Sequence, residues 1–233
     1  MISLYTGTPG SGKSLHIAKK IFIRLGLGKR VMATFPVNTS MIKKKKGEFI
    51  YLNEKELNPK YLISFARIHH KKGVEGQTLL IIDEAQRLFN SREWNIEGRK
   101  EWNEFFQLHR HYGYNIVLVT QYDRLLDRQT RAMVEYEVIH RKISNFGFKG
   151  MLLALLFRGS LFIAVTQWYC LKEKTGSEMF SYKKKYSKFY DSYLDYTDEI
   201  EEEEEKKKIE EEKIKKIELQ KRLKFERDMA ELL

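Results

Sequence analysis

The sequence predicts an α/β fold: a mainly parallel central sheet flanked by helices, followed by a β extension and a charged terminal helix. Three observations carry this reading. A short strand-like run, Ile2 to Thr6, passes through a glycine-rich turn into Leu15 to Leu25, which has helical spacing and no proline. Leu79-Leu80-Ile81-Ile82 is apolar at every position and closes on two carboxylates, Asp83 and Glu84. Ile116-Val117-Leu118-Val119 is equally apolar and closes on Thr120-Gln121. Strands without polar alternation suit a parallel sheet covered on both faces, and such sheets bind ligands at the carboxyl ends of their strands.

The first turn is the most specific feature of the chain. Gly7-Thr8-Pro9-Gly10-Ser11-Gly12-Lys13-Ser14 matches the phosphate-binding pattern G-x-x-x-x-G-K-[ST] at every fixed position. Set between a strand and a helix, it predicts a P-loop NTPase. Glycines let successive backbone N–H groups converge on phosphate oxygens, and the helix N-terminus adds partial positive charge. Gly7 to Ser14, with Leu15 just inside the helix, are therefore the candidate ATP contacts. Lys13 would reach the β- and γ-phosphates, and the Ser14 hydroxyl would ligate Mg²⁺.

The acidic strand supplies the other half. Asp83, at a strand end opposite the loop, would hold the Mg²⁺ shell. Glu84, one residue further, would accept a proton from an attacking water or orient it. On the strand ending Thr120-Gln121, Gln121 is expected to touch the γ-phosphate or the water in preference to Thr120.

Other elements follow in order. Arg30 to Phe35 reads as a second strand stopped by Pro36, and Lys43-Lys44-Lys45-Lys46 lies in the loop after it. Glu48 to Leu52 is a short strand, and Pro59 to His70 a helix with proline in its first turn. Arg99 to Tyr112 is a helix with Trp102, Phe105, Phe106 and His109 on one face, ended by Gly113. Val138 to Lys142 and Leu161 to Tyr169 are further strands. The apolar stretch Met151 to Val165 is short of the ~18–20 residues that span a bilayer, and Arg158-Gly159 interrupts it. It is expected to form a buried hairpin turning at Arg158-Gly159-Ser160, with a shallow membrane contact as the lesser alternative. Residues 1–197 form the ATPase domain and 198–233 a charged helical tail, whose Glu and Lys blocks support a solvated helix.

Composition sets the remaining bounds. A hydrophobic content of 42% excludes wholesale disorder. The single cysteine, Cys170, excludes an internal disulfide and suits a reducing compartment. Met1 runs directly into the strand with no basic n-region, so no secretory signal is expected. Residues 1–197 carry 33 Lys and Arg against 18 Asp and Glu, a net of +15, whereas 198–233 carry 10 against 14, a net of −4. The basic part invites an anionic partner, nucleic acid or an acidic membrane surface; even spread of the bases is equally consistent with compositional bias.

Flanking residues carry a resemblance. The phosphate loop, Asp83-Glu84-Ala85-Gln86 with Phe89 and Arg92 after it, His109-Arg110-His111-Tyr112-Gly113-Tyr114-Asn115, Val119-Thr120-Gln121, Arg131 and Tyr190-Asp191-Ser192-Tyr193 together resemble the Zot (zonula occludens toxin-like) family. The resemblance covers roughly residues 1–195. It implies an ATPase that drives assembly and extrusion of a filamentous phage, acting at the cytoplasmic face of the host inner membrane. It implies kinship with ring translocases of the FtsK–HerA type, hence a homo-oligomeric ring, expected to be a hexamer. Implied partners are phage assembly and coat proteins, phage single-stranded DNA, and the membrane, met directly or through a membrane protein.

Two departures stand out: the family aspartate before the Thr-Gln strand is Asn115 here, and the charged tail occupies the place of the family's usual transmembrane helix. Ring ATPases often complete their site with an arginine from the neighbouring subunit. Arg92, Arg110 and Arg131 are the candidates, Arg92 first because it follows the acidic strand in a loop. A small-molecule kinase, a nucleotide-gated scaffold that does not hydrolyse, and a translocase of duplex DNA are the alternatives.

Overall fold

The computed structural model describes residues 1–42, 47–53, 56–92, 98–156 and 160–190. The expectations placed on Lys43–Lys46, on the turn at Arg158-Gly159, and on the boundary at 197 and the tail beyond it lie outside the described residues.

In chain order the elements are β1 (Ile2–Thr6), α1 (Lys13–Gly26), β2 (Arg30–Ala33), β3 (Phe49–Tyr51), α2 (Pro59–His69), β4 (Thr78–Ile82), α3 (Arg99–Leu108), β5 (Tyr114–Val119), α4 (Arg128–Ala132), β6 (Tyr136–Lys142), α5 (Gly147–Leu156), β7 (Leu161–Trp168), β8 (Glu173–Ser181) and α6 (Lys184–Phe189). Among the described residues, eight strands form one sheet in the order β3-β2-β4-β5-β1-β6-β7-β8. The pairs from β3 to β6 are parallel, while β6–β7 and β7–β8 are antiparallel. The α/β class, the mainly parallel sheet and the β extension are as the sequence predicts.

Successive residues of a strand point to opposite faces, and here both faces are covered. Leu79 and Ile81 of β4 pack in one cluster with Ile17, Ile21 and Leu25 of α1. Leu80 and Ile82 pack in another with Leu62 of α2 and Phe105 and Phe106 of α3. Hence the strand needs no polar positions. Helix α2 begins where the Asn58 side chain accepts the Tyr61 N–H at 2.8 Å, with Pro59 in the first turn, where its missing N–H is no loss.

One expectation is overturned. Met151 to Leu156 is not the first arm of a buried hairpin; it belongs to α5, and Met151, Leu152, Leu153 and Leu155 are exposed. The strand β7 instead pairs with β6, from Lys142↔Phe162 to Tyr136↔Trp168. The local reason is composition: Met151-Leu152-Leu153-Ala154-Leu155-Leu156 consists of strong helix formers, and β-branched residues resume only at Ile163. Strand β8 and helices α4 and α6 are additions that the periodicity does not announce.

Candidate active site

The phosphate loop leaves the carboxyl end of β1 and turns into α1, whose N-cap is Gly12. Gly12 sits at φ +94°, and a Cβ there would lie 2.8 Å from the Phe162 ring, so only glycine fits. The Gly7 N–H donates to the Gln121 carbonyl at 3.2 Å, which ties the start of the loop to the end of β5. The ammonium of Lys13 folds back on the loop, 2.5 Å from the Gly7 carbonyl and 3.3 Å from that of Thr8. Burial pulls its pKa down, and the charges of Glu84 and Asp83 push it back up, which places both carboxylates within electrostatic reach. The Ser11 hydroxyl is buried with no partner. A loop of left-handed glycines, an orphaned hydroxyl, a lysine and the free N–H groups of a helix start is a donor set suited to polyphosphate.

Asp83 and Glu84 lie at the end of β4, two strands from the loop with β5 between. The Asp83 carboxylate accepts the Glu84 N–H at 2.9 Å and the Tyr190 hydroxyl at 3.0 Å. Burial is the main influence on its pKa and raises it, while these two donors pull it down. The Tyr190 hydroxyl also interacts with Ser14, so one phenol bridges the two side chains assigned to Mg²⁺. That places Ser14 and Asp83 together, and a hydroxyl facing a carboxylate is a fitting pair for a hard divalent cation. Glu84 has φ +43°, an uncommon backbone for a residue with a side chain, and its carboxylate accepts from the Gln86 amide. Left-handed non-glycine residues concentrate at functional sites.

Gln121 is exposed just past the end of β5, where with Gly7 and Thr8 it lines a cavity of about 510 Å³. The arginines are scattered. Arg92 is exposed just after the isolated bridge of Asn90 and Leu126. Arg110 is at the opposite edge of the sheet, bound to Glu135 at 2.6 Å near Met1, and so far from its own loop. Arg131 is half-buried in α4 and interacts with Tyr169.

Two features escape a reading of the sequence. Tyr190 is legible only as the start of a terminal motif; its contact with Asp83 joins residues 107 positions apart. Beneath the loop, His16 and His140 pair at 2.8 Å, and His140 holds the Thr6 carbonyl at 3.1 Å. Burial drives both pKa values down, to about 4 for His16 and about 3 for His140, with His16 a further cause of the latter.

Similarity to known proteins bears on the family and the fold. The "Gene 1 protein" of Escherichia phage If1 is 25% identical over 171 residues, 71% of this chain and 46% of that protein. The "Gene 1 protein" of Salmonella phage IKe is 33% identical over 86 residues, 36% of this chain and 24% of that protein. The chain thus spans at most about half the length of these curated relatives. Among solved structures, the N-terminal domain of zonular occludens toxin from Neisseria meningitidis matches with a TM-score of 0.51 at 20% identity, covering 82% of this chain and 98% of that one. Another solved ATPase domain matches with a TM-score of 0.54 at 9% identity, over 81% of this chain and 83% of that one. The fold is that of a P-loop NTPase. Residues 1–196 match the family model described as Zonular occludens toxin (Zot), and the chain belongs to that family.

Proposed function

We propose that this domain binds ATP with Mg²⁺ and hydrolyses it as the motor of filamentous phage assembly and extrusion. The observation that carries the reading is the convergence of Lys13, Ser14, Asp83 and Glu84 at the carboxyl ends of β1 and β4. ATP would lie along Gly7 to Leu15, with Lys13 at the β- and γ-phosphates. Ser14 and Asp83 would hold the cation, which supplies charge neutralisation on the phosphates when bound. Glu84 would take the proton of the attacking water, and Gln121 would orient that water or the γ-phosphate. Family membership and the phage relatives support an assembly role at the cytoplasmic face of the host inner membrane. They also support a ring, expected to be a hexamer, acting with phage assembly and coat proteins and with phage single-stranded DNA.

The test is nucleotide binding and turnover in two variants. Lys13→Ala should lose ATP binding. Glu84→Gln should bind ATP and hydrolyse it about 10²–10⁴-fold more slowly, because an amide accepts no proton. Wild-type turnover in Glu84→Gln would remove Glu84 from the chemistry.

A shared site is tested by mixing. Subunits carrying Arg92→Ala, Arg110→Ala or Arg131→Ala are combined in turn with Glu84→Gln subunits. Partial rescue of turnover is expected for the arginine that acts on its neighbour, with Arg92 first because it is exposed at the surface. No rescue for all three would leave the shared site without a donor.

A further inference from the structure

Large apolar side chains gather, exposed, on α5 and the turn before it, from 40% exposure at Leu153 to 75% at Phe148. Phe148, Met151, Leu152 and Leu155 are spaced three, four and seven residues apart, so they share one face of the helix. Gly150 is seated on the inner side, where a Cβ would collide with the Ile143 carbonyl. The helix therefore packs on the turn that precedes it, with its apolar stripe exposed. At ten residues it is about 15 Å long, half the ~30 Å of a bilayer core, and no helix of the described residues is long and apolar enough to cross a membrane.

Along the chain the charge around this stripe is one-sided, and the two acids that share a cavity with Arg141 and Phe146, Asp123 and Glu137, are both met by Lys172. From Val138 to Lys172 the chain has no Asp or Glu, while Arg141 and Lys142 precede α5 in sequence, Lys149 lies within it and Arg158 follows it. The Arg141 guanidinium is 6.0 Å from the centre of the exposed Phe146 ring and has no carboxylate partner among the described residues. A stripe of Met and Leu offers nothing to the polar edges of nucleic-acid bases. A protein groove would call for the apolar stripe but not for a stretch of chain that carries bases and no acids. An anionic bilayer uses both features: apolar side chains enter the acyl boundary while bases meet headgroup phosphates.

We infer that α5 is a membrane-docking helix that lies in the plane of an anionic bilayer, with Phe148, Met151, Leu152 and Leu155 in the acyl boundary and Arg141 among the headgroups. The inference rests on the membrane setting proposed above and is independent of ATP turnover. Flotation of the full chain tests it, with vesicles of phosphatidylcholine alone and with phosphatidylglycerol added, at about 0.15 M salt. The chain should float with the anionic vesicles. Leu152→Asp combined with Leu155→Asp should reduce that binding at least tenfold with an unchanged melting temperature, because both side chains are exposed. Arg141→Gln should weaken it on anionic vesicles and leave the neutral ones as they were. Phe148→Trp should give an emission that shifts to the blue and is quenched by brominated lipid.

Wild-type flotation of the double variant, or no quenching of Phe148→Trp, overturns the inference. So does a double variant that floats normally but loses self-association or single-stranded DNA binding, which would make the stripe a protein or nucleic-acid contact. ATP turnover is measured on the same samples. Turnover without flotation removes only the docking helix, and flotation without turnover removes only the motor.

Discussion

The two halves of the sheet obey different rules. In the parallel half, every residue of β4 is buried and each face has its own helices. In the antiparallel half, β8 is exposed along most of its length, and α5 turns its apolar side outwards. Apolar continuity in the first half follows from burial on both sides. In the second half, apolar side chains are not a guide to burial, because some of them face away from the core. A run of leucines therefore means opposite things a few tens of residues apart, and the neighbouring elements decide which.

Truncation at matched leucines would sharpen this contrast most. Leu80→Ala should cost about 2–5 kcal/mol, since it opens a cavity in a closed core. Leu155→Ala should stay within about 0.5 kcal/mol. Urea denaturation measures both, and equal losses would break the distinction.

The seam between the halves has its own signature. His16 on α1 and His140 on β6 are held neutral by burial, with Glu178 of β8 3.6 Å from His16. Their folded pKa values, about 4 and about 3, lie below the ordinary value of 6.5. As pH falls through 6.5 the unfolded chain takes up protons that the folded chain refuses, so stability drops. The loss should run from about pH 6.5 and flatten only below the folded values. Melting curves between pH 8 and pH 4 would display it, and His140→Gln should flatten the slope. An unchanged slope in that variant would place the acid sensitivity elsewhere.

A smaller effect than that of Leu80→Ala is expected where the C-terminal end of the described chain returns to the parallel half. Tyr190→Phe removes the hydroxyl that bridges Asp83 and Ser14 and should cost about 1 kcal/mol. A variant as stable as the wild type in thermal melts would show that the hydroxyl adds nothing to the anchoring supplied by the edge-on contact of the ring with Phe35 at 4.8 Å and by the buried Phe189.

Legibility in the sequence follows the same division. Lys13, Ser14, Asp83 and Glu84 can be read because each ends or begins an element whose type is set by local pattern, and because parallel strands deliver their ends to one edge. Phe105 and Phe106 can be read from helical spacing alone, and both are buried in the core with Trp102 packed against them. Tyr190 and the histidine pair cannot, since each depends on segments more than a hundred residues apart. The α5 stretch misleads because length and hydrophobicity suit a buried strand as well as an exposed helix, and only its lack of β-branching points to the latter.

The strand order has a metric consequence. With β5 between them, β1 and β4 are separated by two strand spacings, about 9.5 Å. That gap is a ruler. One spacing, about 4.8 Å, would press the carboxylates against the loop; two leave a lane wide enough for a phosphoryl group, a cation and a water in file. The side chains at its walls can be exchanged, but its width is set by backbone hydrogen bonds and would survive a substitution that leaves those bonds in place.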